Sequence, residues 1–174
     1  MDVTEFTKSE ELNKITFDIG ERALALPFKS PNYFVKRYLQ HPFYAYRIFG
    51  IQQQSKNLGL IVLRGVSHQG ARALRLVDYW GASASLVASR PFLEDLLRYE
   101  NAEYIDAYNH GICSDVFAAA GFHELQASGC VIPNYFEPFK RQNIRIRYAF
   151  KAPRGQKYIF FKADCDQDRP NLIS

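Results

Sequence analysis

The chain has 174 residues, 47% of them hydrophobic, and its 22 lysines and arginines against 18 acidic residues give a formal net charge of +4. This length allows one domain with a substantial core and excludes two ordinary domains, while the charge is too small to indicate nucleic-acid binding without a localised basic patch. No apolar run approaches the roughly 20 residues that span a bilayer, and the N-terminal residues MDVTEFTKSEEL are polar rather than signal-like, so we expect a cytoplasmic protein with no membrane partner.

The first forty residues predict a short strand and two helices. Residues 3–6 favour a strand, and Thr7 with Glu10 has the spacing of a capping box at the start of a helix. Ser30 followed by Pro31 supplies the cap and the first position of a second helix, which the next proline ends.

Three strands are predicted after these helices. Residues 44–52 are rich in strand formers, and a polar turn separates them from residues 58–66, which are almost continuously apolar. Such a run is typical of a strand covered on both faces, so we expect 58–66 to be central. Residues 73–80 form the third strand, which alternation predicts to place Leu74, Leu76 and Asp78 on one face.

Residues 89–122 predict helix, strand, turn and helix. Ser89 is the expected cap of the first helix, and residues 104–108 form a short aromatic strand that ends in a turn at 109–111. Ser114 can cap the second helix, over 115–120, and Gly121 can supply its left-handed stop.

The C-terminal part predicts a basic hairpin. Residues 143–151 alternate as a half-buried strand, and 157–163 return as the last strand. Residues 140–162 hold eight basic side chains and no acid, interleaved with aromatic ones. This pattern suits a nucleic acid, a nucleotide-linked sugar or an acidic partner. We expect instead a solvated face, which is what a basic run of this kind usually forms. Acids elsewhere in the fold can also offset its charge: Glu94, Asp95, Glu100, Glu103 and Asp106. A nucleic-acid partner is therefore not predicted.

Neither the C-terminal aspartates nor the cysteines predict a metal site. Asp164, Asp166 and Asp168 alternate as at the start of a calcium loop, but the sixth position of that loop is Arg169 instead of glycine. The three cysteines have no CxxC spacing, which argues against a zinc knuckle.

The helix that closes on AAAGF, with Gly121 and Phe122 before a strand, resembles the C-terminal half of the GNAT fold of N-acetyltransferases, and the segments VIPNYFEPF and FFKADCDQDRPN resemble divergent bacterial GNAT-like proteins. The order of predicted elements is the GNAT order over essentially the whole chain. The resemblance implies a single α/β (α+β) domain over residues 1–174, with a mixed, mostly antiparallel central sheet flanked by about four helices.

The resemblance also implies acyl-coenzyme A-dependent transfer to an amine, with acetyl-CoA as cosubstrate in a split between the middle strands. In the family a glycine-rich loop holds the donor pyrophosphate before a helix N-terminus. The matching stretch lacks the family's basic and glycine pattern, and Phe117 stands where many members have the tyrosine that protonates the thiolate. The cofactor-binding residues that the resemblance implies are Tyr79, Trp80, Gly81, Ala82, Ser83, Asn109 and Phe117.

Three residues are candidates for catalysis under this resemblance. Asp78 stands where a family general base can lie, and His110 can act as a base near neutral pH, with Tyr108 beside it at the strand end. Each has a structural alternative. A strand-end aspartate can hydrogen-bond a neighbouring loop, and a histidine beside glycine is typical of a turn.

Three hypotheses about function remain open from the sequence, and the least favoured is a nucleic-acid or acidic-polymer binder that uses the basic hairpin. The first is an N-acyltransferase whose acceptor is a small-molecule amine, such as an amino sugar. The second is a catalytically degenerate GNAT-fold module for binding or homodimerisation. One form of this hypothesis makes the chain half of a tandem protein.

Overall fold

The computed structural model describes residues 1–15, 25–54, 56–125, 129–132, 143 and 147–165. Within these ranges the chain forms nine strands and five α-helices, together with a π-helical turn and a short 3-10 helix. The first half contains β1 (Asp2–Phe6), α1 (Ser9–Asn13), β2 (Ala25–Leu26), α2 (Pro31–Phe34), the π-helical turn Val35–Leu39, β3 (Tyr46–Gln53) and β4 (Lys56–His68). The second half contains β5 (Ala71–Gly81), α3 (Ser83–Ala88), α4 (Arg90–Tyr99), β6 (Ile105–Ala107), β7 (Asn109–His110), α5 (Ser114–Ala119), β8 (Lys157–Tyr158), β9 (Phe160–Phe161) and the 3-10 helix Lys162–Asp164.

The central sheet has five strands in the order β1-β3-β4-β5-β6. Its first four strands pair antiparallel, and β6 pairs parallel to β5. Two small pairings stand beside it, β2 with β8 and β7 with β9. The predicted mixed, mostly antiparallel α/β class is confirmed, with five α-helices in the described ranges where about four were expected.

Two apolar cores lie on the two faces of this sheet. The α4 core contains side chains of α3, α4 and α5, and the α2 core contains side chains of α1, α2 and the π-helical turn. Strand β4 contributes side chains to both cores, since Ile61 and Leu63 face the α4 core while Leu60 and Val62 face the α2 core. These four side chains are almost fully buried. Coverage on both faces explains the continuous apolar run and confirms that this strand is central.

A β-bulge in β5 changes which residues share a face. Val62 pairs with Asp78 and Leu63 pairs with Leu76, so Val77 is an extra residue in β5. Leu76 belongs to the α4 core, whereas Val77 lies in the α2 core and Asp78 bonds to Tyr38 of that core. The prediction that Asp78 shares a face with Leu74 and Leu76 is therefore wrong, because the bulge interrupts the alternation.

The helix signals in the sequence agree with the structure in most places. The Ser30 hydroxyl accepts a hydrogen bond from the Tyr33 amide at 3.2 Å, with Pro31 at the first helical position. Gly121 follows α5 with φ +91°, the left-handed stop that was predicted. In α1 the capping contact is shifted by one residue, since Glu11 and not Glu10 accepts from the backbone amides of residues 7 and 8.

Helix α3 was not predicted from the sequence, and it begins directly after the strand-end residue Gly81 and the cap residue Ala82. Ser89, the expected cap, lies between α3 and α4, and its hydroxyl donates to the Leu86 carbonyl at 2.7 Å instead of capping α4. A strand-turn-helix connection therefore stands where a loop was expected.

The C-terminal hairpin differs from its prediction. Of the expected strand 143–151, residues 144–146 lie outside the described residues, and 147–151 form no strand. The expected last strand is divided into β8, β9 and the 3-10 helix. The division follows from the partners: Ile159 donates its amide to the Leu26 carbonyl, β9 pairs with β7, and the Asp164 carboxylate accepts the Phe161 amide at 2.9 Å.

Within the ranges that the structure describes, no helix has the length and apolar character needed to cross a membrane. The same ranges contain no group of three or more His, Cys, Asp or Glu side chains placed to hold a metal ion.

Candidate functional site

The predicted site lies where β5 and β6 separate. The two strands pair only from Leu74 with Ile105 to Leu76 with Ala107. Beyond this point β5 runs on to Gly81, while the chain after β6 forms β7 and pairs with β9. We call the space between the end of β5 and β7 the split, and the segment Phe161–Asp164 lies in it.

One side of the split is filled by aromatic rings. Phe161 is 1% exposed, and its ring centroid lies 6.2 Å from that of Tyr79 and 6.5 Å from that of Phe117. Phe117 is itself buried and packs against Phe122 at 5.4 Å. Phe117 is therefore part of the α4 core. The rings close the α4-core side of the split.

The other side of the split holds a buried ionic cluster. The Lys29 ammonium lies 2.7 Å from an oxygen of Asp78 and 2.8 Å from an oxygen of Asp164, and the Tyr38 hydroxyl donates to Asp78 at 2.6 Å. Lys29 and Tyr38 are 1% exposed and Asp78 is 0% exposed. The cluster ties β5 to the C-terminal 3-10 helix through Lys29, which precedes α2. Both carboxylate oxygens of Asp78 therefore accept hydrogen bonds from side chains of this chain, Lys29 and Tyr38.

Burial and the two carboxylates shift the titration of this cluster. Burial lowers the pKa of Lys29, but Asp78 and Asp164 together outweigh it, so the pKa lies above its ordinary value. Burial and the nearby Asp78 raise the pKa of Asp164, against the lowering effect of Lys29. Burial and Asp78 also hold the pKa of Tyr38 well above its ordinary value. Tyr38 is therefore a hydrogen-bond donor to Asp78 at neutral pH.

The strand-end residues that the resemblance assigns to the cofactor contact the chain itself. The Tyr79 hydroxyl donates to the Ala82 carbonyl at 2.6 Å and lies 2.6 Å from the Ser85 hydroxyl. Tyr79 and Trp80 are fully buried on opposite faces of the sheet. Ala82 and Ser83 are half-buried, and Ser83 is the first residue of α3.

Gly81 has no free space beside it. A Cβ at this position would lie 2.6 Å from the Tyr79 hydroxyl oxygen and 2.7 Å from the Leu58 carbonyl oxygen. We expect Gly81→Ala to lower the free energy of unfolding by roughly 1–3 kcal/mol, because backbone must shift to admit the methyl group. Urea denaturation measures the loss.

Gly65→Ala is the matched control for this substitution. A Cβ at Gly65 meets only the tip of the Arg72 side chain, which can move, so the change should stay within about 0.5 kcal/mol. Equal effects at Gly65 and Gly81 would contradict the tight packing described for Gly81.

The remaining predicted residues lie in a different place from Asp78. Tyr108, Asn109, His110 and Phe117 line a cavity of about 1200 Å³ between α4, β6 and α5. The strand-end residues 78–83 are not among the described residues that line it. Tyr108 is half-buried, with the Lys162 ammonium 5.2 Å from its ring centroid. The structure thus divides the predicted residues between the split and this cavity.

His110 is half-buried and belongs to a group of rings whose outer members, Tyr148 and Phe150, are exposed. Its Nδ1 is hydrogen-bonded to the Tyr148 hydroxyl, and its ring lies 5.6 Å from Phe150 and 6.2 Å from Phe160. Tyr158 packs against Phe150 at 5.5 Å. We call these five side chains the aromatic platform.

Sequence reasoning missed Lys29 and Tyr38 and gave Asp164 no partner. A lysine in the apolar run LALPFKSP is the one available signal, since a charge among apolar residues predicts a buried partner. The sequence alone does not identify that partner, because Lys29 and Asp164 lie 135 residues apart in the chain.

No protein-family model matches the chain, and no curated protein matches it. Two solved structures are similar in backbone, the wild-type and a mutant form of TTHA1254 from Thermus thermophilus. Each has a TM-score of 0.48 and 12% sequence identity, and the alignments cover 88% and 87% of this chain and 100% of the other. A likeness of this size carries no argument about activity.

Proposed function

We propose that the chain is a GNAT-like module that binds a partner without catalysing acyl transfer in the split. The order of strands, with a parallel β5–β6 pair next to an antiparallel sheet, supports the family resemblance. The observation that carries the proposal is the closure of the split by Phe161 and the 3-10 helix. The residues present do not fit an acyl-coenzyme A there, because the buried rings and the ionic cluster fill the space it would need.

Acyl transfer to a small-molecule amine is the second candidate. The strand-turn-helix connection at Gly81 and the cavity that contains Tyr108 and His110 favour it. This function needs the segment 161–164 to leave the split, which breaks the contacts of Lys29 with Asp164. Because those groups are buried, the movement is costly.

The proposal places the module in the cytoplasm. Its three cysteines, at positions 113, 130 and 165, are exposed thiols, which suit a reducing compartment.

Calorimetric titration with acetyl-CoA and coenzyme A tests the proposal. We expect no saturable heat up to millimolar donor, because the split has no room for the pantetheine chain. The companion variant is Ser83→Tyr, which adds bulk at the start of α3 without entering the Gly81 contact. Micromolar binding by the natural chain that Ser83→Tyr abolishes would overturn the proposal in favour of acyl transfer.

A further inference from the structure

The aromatic platform presents large rings to solvent. Tyr148 and Phe150 are 53% and 47% exposed, although both are aromatic. Their planes are nearly parallel, at 13°, with centroids 6.3 Å apart, and Tyr158 and Phe160 form a second such pair at 21° and 6.0 Å. Contiguous exposed aromatic surface on a folded domain marks a binding site more often than a chance arrangement. Ring faces of this kind can stack with planar ligands.

Basic residues lie next to these rings in the sequence. Arg147, Lys151, Arg154 and Lys157 are all exposed, and they alternate along the chain with the platform residues. The sequence holds no acidic residue from position 140 to position 163. The segment that carries four of the five rings therefore has exposed basic residues and no acidic residue.

The acids that were expected to offset this charge are engaged elsewhere. Glu94 pairs with Arg90 at 2.7 Å, and Asp95 pairs with Arg98 at 2.6 Å, both within α4. Glu100 bonds to two arginines of the central sheet, Arg47 and Arg72, and Asp106 lies 3.5 Å from Arg75. Four of the five acids thus neutralise arginines outside the hairpin. The expected offset of the hairpin's charge, one of the two grounds for not predicting a nucleic-acid partner, therefore does not hold for these four acids.

Charge decides between the occupants that an aromatic surface can take. A second copy of the chain in a two-fold dimer would bring this basic surface against itself, which like-charge repulsion disfavours. A purely apolar partner would bring no negative charge to a basic surface. A chain of phosphates that carries planar bases satisfies both features, since bases stack on the rings while phosphates pair with the lysines and arginines.

We propose that the aromatic platform binds single-stranded nucleic acid without reading its sequence. The inference names the partner of the module and so rests on the proposed function. Stacking on Phe150 and Tyr148 supplies base contacts. The phosphate contacts come from the four exposed basic residues Arg147, Lys151, Arg154 and Lys157. Sequence tolerance follows because every base has a face that can stack.

Fluorescence anisotropy of the full chain with labelled oligothymidylate and oligouridylate, each of about twelve nucleotides, tests this proposal. Four phosphate contacts predict a slope of about −3 for the logarithm of the binding constant against the logarithm of salt concentration. We expect Phe150→Ala to weaken binding about tenfold, since stacking on one ring is lost. The double variant Lys151→Gln, Arg154→Gln removes two of the four contacts and should halve the salt slope, to about −1.5. Comparison of the two oligonucleotides shows whether DNA or RNA is preferred.

Two variants control for general loss of aromatic or basic surface. Tyr99→Ala removes a ring that is 84% exposed on α4, and Lys36→Gln removes an exposed charge in the π-helical turn. Neither should change the affinity more than twofold. Unchanged circular dichroism and urea midpoints establish that all variants fold.

Absence of oligonucleotide binding at low salt would overturn the inference. Binding that Phe150→Ala leaves intact would also overturn it, because the chain would then be attracted to the phosphates alone. Dimers in sedimentation that Phe150→Ala dissociates would also overturn it and assign the platform to a second copy of the chain. The acetyl-CoA titration on the same preparations keeps these outcomes separate from failure of the proposed function. Donor binding that Ser83→Tyr abolishes and Phe150→Ala leaves intact refutes the non-catalytic module, whereas loss of oligonucleotide binding alone refutes only the partner.

Discussion

Lys29→Met is expected to lower the free energy of unfolding by about 3–5 kcal/mol at neutral pH. The side chain is buried, and its ammonium is the shared partner of Asp78 and Asp164. Removing it leaves two carboxylates close together in the interior with no cation between them. Methionine keeps most of the volume, so the loss reports the charge rather than a cavity. Urea denaturation followed by circular dichroism measures it.

Lys36→Met is the control, because Lys36 is exposed and its loss should change stability by no more than about 0.5 kcal/mol. A loss below about 1 kcal/mol for Lys29→Met would contradict the buried cluster. Asp164→Asn should be much milder than Lys29→Met, since its amide oxygen can still accept from Lys29 and from the Phe161 amide. It also removes the negative charge that the cluster carries in excess.

The pH dependence of this cluster follows from the directions of its pKa shifts. The pKa of Lys29 is raised, so the stability from its charge is complete below the ordinary lysine pKa and is lost as the pH rises through the folded value. The pKa of Asp164 is also raised, so the folded state favours the protonated acid, and this favourable effect fades as the pH rises above 3.8. In Lys29→Met, Asp164 loses the cation that lowers its pKa, so this carboxylate binds a proton still more readily. The destabilisation should therefore shrink as the pH falls from 7 toward 4.

Local signals in the sequence predicted most of the sheet. The apolar run at 58–66 required coverage on both faces, which β4 has, and the cap at Ser30 and the stop at Gly121 depend only on neighbouring residues. The bulge at Val77 was not readable because it depends on how β5 pairs with Val62 and Leu63 of β4. That one extra residue moved Asp78 from an expected cleft to the α2 core.

Contacts between distant parts of the chain determined the rest. The alternation of residues 143–151 predicted a half-buried strand, yet Tyr148 and Phe150 are exposed beside His110. The closure of the split depends on the pairing of β9 with β7, and no local pattern reports it. The predicted mixed, mostly antiparallel sheet was therefore correct, while the contacts of the predicted site residues depended on where the C-terminal segment lies.

Phe161→Ala is expected to cost about 3–5 kcal/mol, because the ring is fully buried between Tyr79 and Phe117 and its removal leaves a cavity. Phe161→Leu, which retains most of the volume, should cost less, and Phe43→Ala is the exposed control, with an effect of no more than about 0.5 kcal/mol. Thermal and urea unfolding measure all three.

The size of the Phe161→Ala effect also decides between the two functions. A donor cleft requires that the segment 161–164 leave the split at low cost, so a catalytic chain would tolerate Phe161→Ala with a loss below about 1 kcal/mol and should then bind acetyl-CoA more tightly. A loss of several kcal/mol with no donor binding means that Phe161 is part of the core, as its burial indicates. The C-terminal segment then belongs to the folded architecture itself, and binding must use a surface such as the aromatic platform.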